Sequence, residues 1–375
     1  MAGRVGEVSM RDVLKSGAIV FLVVGLMAFF LRNADLASVW SEITRARFSM
    51  VVATCVAIVV TYLARIWRWQ LLLAPIASVP FGSAARATVI GFATSSVLPG
   101  RLGEVLRPYL LARKTSITAS AAFATVVLER LLDLITVVLL LGVFLTIFGD
   151  TVVNTDESML APLKLGGLAA AGGAVMALVV VMWMAGAPER TASLCTRVEQ
   201  WLPGRLGRAA YQFLARFSAG FAVAGQPLRL GFGLLWSVPL WLAVAASAWT
   251  ICQAFGIALP LSGALLVMVL MVLGVAVPTP AGVGGFHALF QIGTTSFYGA
   301  PVDAAVGAAL VLHALSFGPI TALGIVLMAR EGLTWRAAVD LAGEDGQASS
   351  ATEAAEPGSG APMSAAIGTT GRGEA

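Results

Sequence analysis

Four stretches of the chain, residues 14–31, 49–73, 230–256 and 303–329, are each long and apolar enough to cross a bilayer as a helix, which takes about 20 mostly apolar residues. No other feature restricts the fold as severely, because a segment in lipid must satisfy its backbone polar groups internally. Two more stretches join these four. Residues 117–148 exceed one crossing and predict an interfacial start, then a span from about Val127 to Phe148. Residues 165–186 are rich in Gly and Ala, which suits close packing inside a membrane bundle. The expected fold is an all-α membrane protein with about six spanning helices. Composition agrees: the 375 residues are 58% hydrophobic and 12% charged, where soluble domains average about 45–50% and about 25%. The run 14–31 exceeds the apolar core of a signal peptide, so an uncleaved first helix is expected.

Two apolar regions do not fit a simple crossing. Residues 84–98 end at Pro99-Gly100 and lead into Arg101, Glu104 and Arg107. Residues 263–277 end at the Pro- and Gly-rich run 278–285, after which an apolar segment resumes to about Tyr298. Each first piece is short for a full crossing, and the breaks free backbone groups that must be buried in protein or face a wet cavity. Both regions therefore read as re-entrant helical hairpins, around 84–114 and 263–298.

Arg and Lys concentrate on one side of this arrangement, whereas loop 149–163 carries Asp150, Asp156 and Glu157 without a base. By the positive-inside rule both termini are cytoplasmic. Residues 1–148 and 149–335 then read as two inverted membrane repeats, each with span, span, broken hairpin and span; corresponding interruptions in two halves point to a midplane binding site. Residues 188–227 are expected to form an amphipathic cytoplasmic segment, and 342–375, poor in large apolar side chains, a disordered tail.

Several chemistries are excluded. Cys55, Cys195 and Cys252 lack the spacing of a disulfide framework or zinc site, and two histidines make no metal-rich centre. There is no G-x-S-x-G, Walker A or H-E-x-x-H motif, and the glycines at 282, 284 and 285 follow no strand that would make them a dinucleotide loop. No cofactor is implied. The pI near 9.2 suits anionic headgroups and the positive-inside bias, with no nucleic acid as partner.

What remains is charge inside apolar sequence, which is costly and a functional candidate by default. Arg101, Glu104 and Arg107 are spaced by three, so a helix beginning after Gly100 would place them along one face, with Arg101 in the anion-favouring first turn. Two guanidiniums there suit a phosphate; a helix-end salt-bridge cluster is the plainer alternative. Glu129 and Asp133 share a face, with Arg130 aside and able to meet Glu104 or Asp133; here the plainer alternative is a structural ion-pair network. Arg65 and Arg68 lie among Tyr62, Trp67 and Trp69 at the end of the second span, where an aromatic belt with snorkelling cations competes with headgroup contact. Asp303 is placed to cap the last helix. His287 and His313, both in the second half, fit hydrogen-bonded packing, with proton coupling the alternative.

With Leu98-Pro-Gly-Arg101-Leu-Gly-Glu104-Val-Leu-Arg107, Glu129-Arg130-Leu-Leu-Asp133 and Pro278-Thr-Pro-Ala-Gly282-Val-Gly284 in this order, the chain resembles the lysylphosphatidylglycerol synthase transmembrane (flippase-like) family over roughly residues 10–335. The resemblance implies a lipid flippase whose site includes the charged residues above together with Gly282, Gly284 and His287. It departs from the family in two places: Glu is common where this chain has His287, and Arg is frequent where it has His313. The 375 residues carry no counterpart of the aminoacyltransferase domain of the fused synthases, so lipid aminoacylation by this chain alone is not expected. The expected partner is an anionic phospholipid or polyprenyl-phosphate-linked lipid. Two other readings stay open: a membrane-embedded transferase using Glu104 or Asp133, and a scaffold for an envelope-synthesis partner.

Overall fold

The computed structural model describes residues 10–98, 101–148, 157–186, 226–277 and 279–333. Within them the chain is helical and forms no strand. The helices in order are α1 (Met10–Leu31), α2 (Leu36–Arg45), α3 (Phe48–Leu73), α4 (Phe81–Val97), α5 (Gly103–Ala112), α6 (Ala119–Ile147), α7 (Glu157–Gly186), α8 (Pro227–Ala254), α9 (Gly263–Ala276), α10 (Gly285–Tyr298) and α11 (Val302–Arg330). A short 3-10 turn, Pro280–Gly282, stands between α9 and α10. The segment expected to be amphipathic over 188–227, save its last two residues, and the tail 342–375 lie outside the described residues.

By length and hydropathy, α3, α6, α8 and α11 can each cross a membrane. The bent pair Phe21–Leu31 and Leu36–Arg45, turned by 78°, makes a fifth if taken as one span, and α7 carries a shorter apolar stretch, Leu165–Val180. Their outward faces are apolar: Phe48, Val56 and Trp67 of α3 and Leu228, Phe232 and Leu235 of α8 are exposed. Such a surface is stable only with lipid as the solvent. The chain is thus a multi-pass membrane protein.

Local chemistry sets the boundaries. Asp35 caps α2 by accepting from the backbone N–H groups of Ala37 and Ser38, and Thr118 caps α6 by accepting from that of Ala121. α10 ends at Gly299 in the left-handed conformation. Two expectations are corrected. The stretch 119–147 is one unbroken helix whose first turns are buried at Ala121, Ala122, Ala124 and Thr125, so it does not begin along the interface. Asp303 lies in the first turn of α11 after the N-cap Pro301; its carboxylate instead accepts from the Asp35 N–H at 3.0 Å, tying α2 to α11.

Contacts in the two halves correspond. α4 packs on α5 as α9 packs on α10; α5 on α6 as α10 on α11; α3 on α4 as α8 on α9; and α3 on α6 as α8 on α11. Across the halves, α4 meets α11 as α9 meets α6, α6 meets α8 as α11 meets α3, and α3 and α8 pair with each other. Each broken hairpin closes on a pair of glycines. A Cβ on Gly103 would lie 1.8 Å from the carbonyl oxygen of Gly91, and one on Gly274 would lie 2.3 Å from that of Gly285. Both pairs lie where the two arms of a hairpin cross.

Candidate functional site

Glu129 is fully buried in the middle of α6, and Asp133 lies one turn further on the same face. Each carboxylate must be paired to remain there. α3 supplies two partners, because residues 65, 68, 69 and 72 share its inward stripe. Arg68 Nη1 lies 2.7 Å from Asp133 and its Nη2 3.3 Å from Glu129; Arg65 Nη1 lies 3.5 Å from Asp133 and 3.7 Å from Glu129. From α5, Arg107 donates to both Glu129 oxygens at 3.2 and 3.4 Å, its guanidinium 3.7 Å above the Trp69 ring. Arg130 reaches Glu129 at 3.1 Å and Asp133 at 3.4 Å. Around this core, Trp241 donates its indole N–H to Asp133 at 3.0 Å, and Arg68 donates to Ser237 at 2.6 Å.

This network lines part of a cavity of about 760 Å³ between the two halves. Arg65, Arg101, Glu104, Arg107, Arg130, Asp133 and Gly282 all line it, so most of the expected site residues converge on one space. Much of the remaining wall is apolar, including Val138 and Leu141 of α6, Leu270 and Val272 of α9, and the small residues Gly166, Gly167 and Ala170 of α7. Arg68 and Glu129 sit behind the wall. Gly284 and His287 do not line the cavity. Gly284 has φ +88, and a Cβ there would lie 2.3 Å from that of Leu26, so its role is to let α1 approach the second break. His287 is buried between Phe30, Phe286 and His313, with Nδ1 accepting from the Gly284 N–H at 3.4 Å.

Three details differ from the helical-face reading. α5 begins at Gly103, so Arg101 precedes it, with φ +55, and does not share a face with Glu104 and Arg107. Its guanidinium donates across the molecule to the carbonyl of Val275, in the last turn of α9, where helix carbonyls lack an intrahelical donor. Among the described residues Glu104 pairs with Arg101, at 3.9 Å, and the carboxylate that orients Arg107 is Glu129. Arg65 and Arg68 do not snorkel: both are buried, and only Trp67, packed edge-on against Trp236, faces outward. Sequence reading missed Trp241, Ser237 and Trp69 as members of the network. The available signal was a mid-span tryptophan, whose N–H must find an acceptor when buried.

Fold and site together define a multi-pass membrane protein with a charged internal cavity between two broken helical hairpins. The model of the family described as the lysylphosphatidylglycerol synthase TM region matches residues 16–324. The chain belongs to that family. No functionally curated protein matches it.

Proposed function

We propose that this protein moves an anionic phospholipid or polyprenyl-phosphate-linked lipid between the leaflets of the cell membrane. One observation carries the reading: a single cavity joins a guanidinium-rich end to an apolar wall, as an amphiphile with an anionic head requires. Membership of a lipid-related membrane family supports it. In this reading the two halves are inverted repeats, six helices span, the hairpins are re-entrant and both termini are cytoplasmic. The matched contacts of the halves and the paired glycine crossings favour such a repeat. Alternating exposure of the cavity passes the headgroup across.

Arg101 is the residue to test, because its side chain is 41% exposed and lies outside the buried network. The experiment is leaflet exchange of labelled anionic and zwitterionic lipids in proteoliposomes, comparing the unmodified chain with Arg101→Gln. Exchange selective for the anionic lipid, and lost in the variant, is the expected result. Failure of folded protein to exchange any anionic lipid, lipid-linked phosphates included, would refute the proposal.

A further inference from the structure

Among the described residues, the charges around the cavity do not balance. Five guanidiniums, those of Arg65, Arg68, Arg101, Arg107 and Arg130, face three carboxylates, those of Glu104, Glu129 and Asp133, an excess of two positive charges. The surplus is not spread over a solvated surface. Arg107 lines the cavity yet is only 4% exposed; among the described residues its Nε and Nη2, Nε of Arg130, and Nε and Nη2 of Arg68 behind the wall have no hydrogen-bond partner. A buried guanidinium with free donors costs free energy until an acceptor arrives. The carboxylates cannot meet the need, since Glu129 already serves Arg65, Arg68, Arg107 and Arg130.

Resting on the reading above, we infer that the headgroup is a dianionic phosphate, a phosphomonoester or diphosphate carried on a lipid, and not the monoanionic phosphodiester of ordinary phospholipids. A doubly charged head cancels the excess, while a phosphodiester leaves one guanidinium uncompensated. Terminal phosphate also presents three oxygens to the guanidiniums of Arg101, Arg107 and Arg130, which line the cavity. The apolar wall beside α7 places the hydrocarbon chain in the same cavity, so the ligand is a lipid and not free phosphate.

The test uses the full chain in phosphatidylcholine nanodiscs doped with phosphatidic acid or phosphatidylglycerol of identical acyl chains, with binding read by native mass spectrometry. At pH 8 phosphatidic acid is expected to bind on the order of tenfold more tightly, because a second charge acts across a poorly screened cavity. The preference falls as pH drops through about 6, where the second phosphate proton returns. Arg101→Gln reduces the excess to one and shrinks the preference; Glu104→Gln raises it to three and enlarges it. A merely structural role for these residues would not move the preference in opposite directions.

Equal binding of the two lipids at pH 8, both above phosphatidylcholine, overturns the dianion while leaving anionic-lipid transport intact. Binding of neither above phosphatidylcholine overturns the dianionic lipid and counts against the transport reading as well. Inorganic pyrophosphate binding as tightly as phosphatidic acid overturns the requirement for a lipid.

Discussion

The imidazole rings of His287 and His313 lie 4.5 Å apart, tilted by 38°, one at the start of α10 and the other mid-way along α11. His313 Nε2 donates to the Ala281 carbonyl at 3.1 Å, and His287 Nδ1 accepts from the Gly284 N–H, so both rings bind the turn that breaks the second hairpin. The resemblance drawn from sequence puts Glu and Arg at these positions, and the structure brings the two positions into contact. His287→Glu or His313→Arg alone leaves one charge poorly paired in an apolar pocket; the double variant restores a partner. A coupling of about 0.5–3 kcal/mol in favour of the double variant is expected from thermal stabilities of the four proteins in detergent. Strict additivity would show that the side chains do not interact.

The charged network separates residues that hold the fold from residues free to serve a ligand. Glu129→Gln weakens the charge compensation of four guanidiniums, and Arg68→Met leaves Asp133 without its closest cation. Each should destabilise the protein by about 3–5 kcal/mol, as breaking buried pairs does. Arg101→Gln should shift stability by less than about 1 kcal/mol yet abolish lipid exchange. Unfolding midpoints and exchange rates measured on the same preparations check the split. It fails if Glu129→Gln is as stable as the parent chain.

Trp241 offers a finer probe. Trp241→Phe keeps much of the ring but removes the donor to Asp133, so a loss of about 1.5–3 kcal/mol is expected, the range for hydrogen bonds to charged groups. An unchanged melting temperature would mean that the arginines alone satisfy Asp133.

The glycine crossings give a steric prediction. Gly103→Ala and Gly274→Ala place a methyl group inside the van der Waals radius of an opposing carbonyl, and should cost about 1–3 kcal/mol or prevent assembly. Gly142→Ala in α6, where a Cβ meets nothing within 4 Å, should be neutral or slightly stabilising. Expression level and melting temperature of the three variants distinguish the crossings from ordinary helical glycine.

Much of this was legible in sequence because the signals are local. Twenty-residue apolar runs declare spans, and Pro99-Gly100 and the run 278–285 declare breaks. The charged residues of 101–107 and 129–133 could be recognised because charge in apolar sequence needs partners. Partner choice was not legible. Whether Arg107 faces Arg101 or Glu129 depends on where α5 begins, a difference of two residues that turns a side chain by more than half a helical turn. Likewise, Trp69 and Trp67 are equivalent in composition; only the rotation of α3 buries one and exposes the other. Gly91 and Gly274 looked like ordinary helix residues because their role appears only when a second backbone crosses them.

Arg101 stands with φ +55, a conformation that glycine adopts freely and other residues enter at about 1–2 kcal/mol. Its hydrogen bond to Val275, made by a charged donor, returns about 1.5–3 kcal/mol, so this one contact offsets the backbone cost of arginine at 101. A laboratory selection for heat resistance alone would therefore exert little pressure on position 101, and substitutions there can yield sturdy protein that has lost its cation at the cavity. Selection for transport fixes this codon where selection for robustness leaves it loose, so stabilised variants intended for structural work should be sequenced there first.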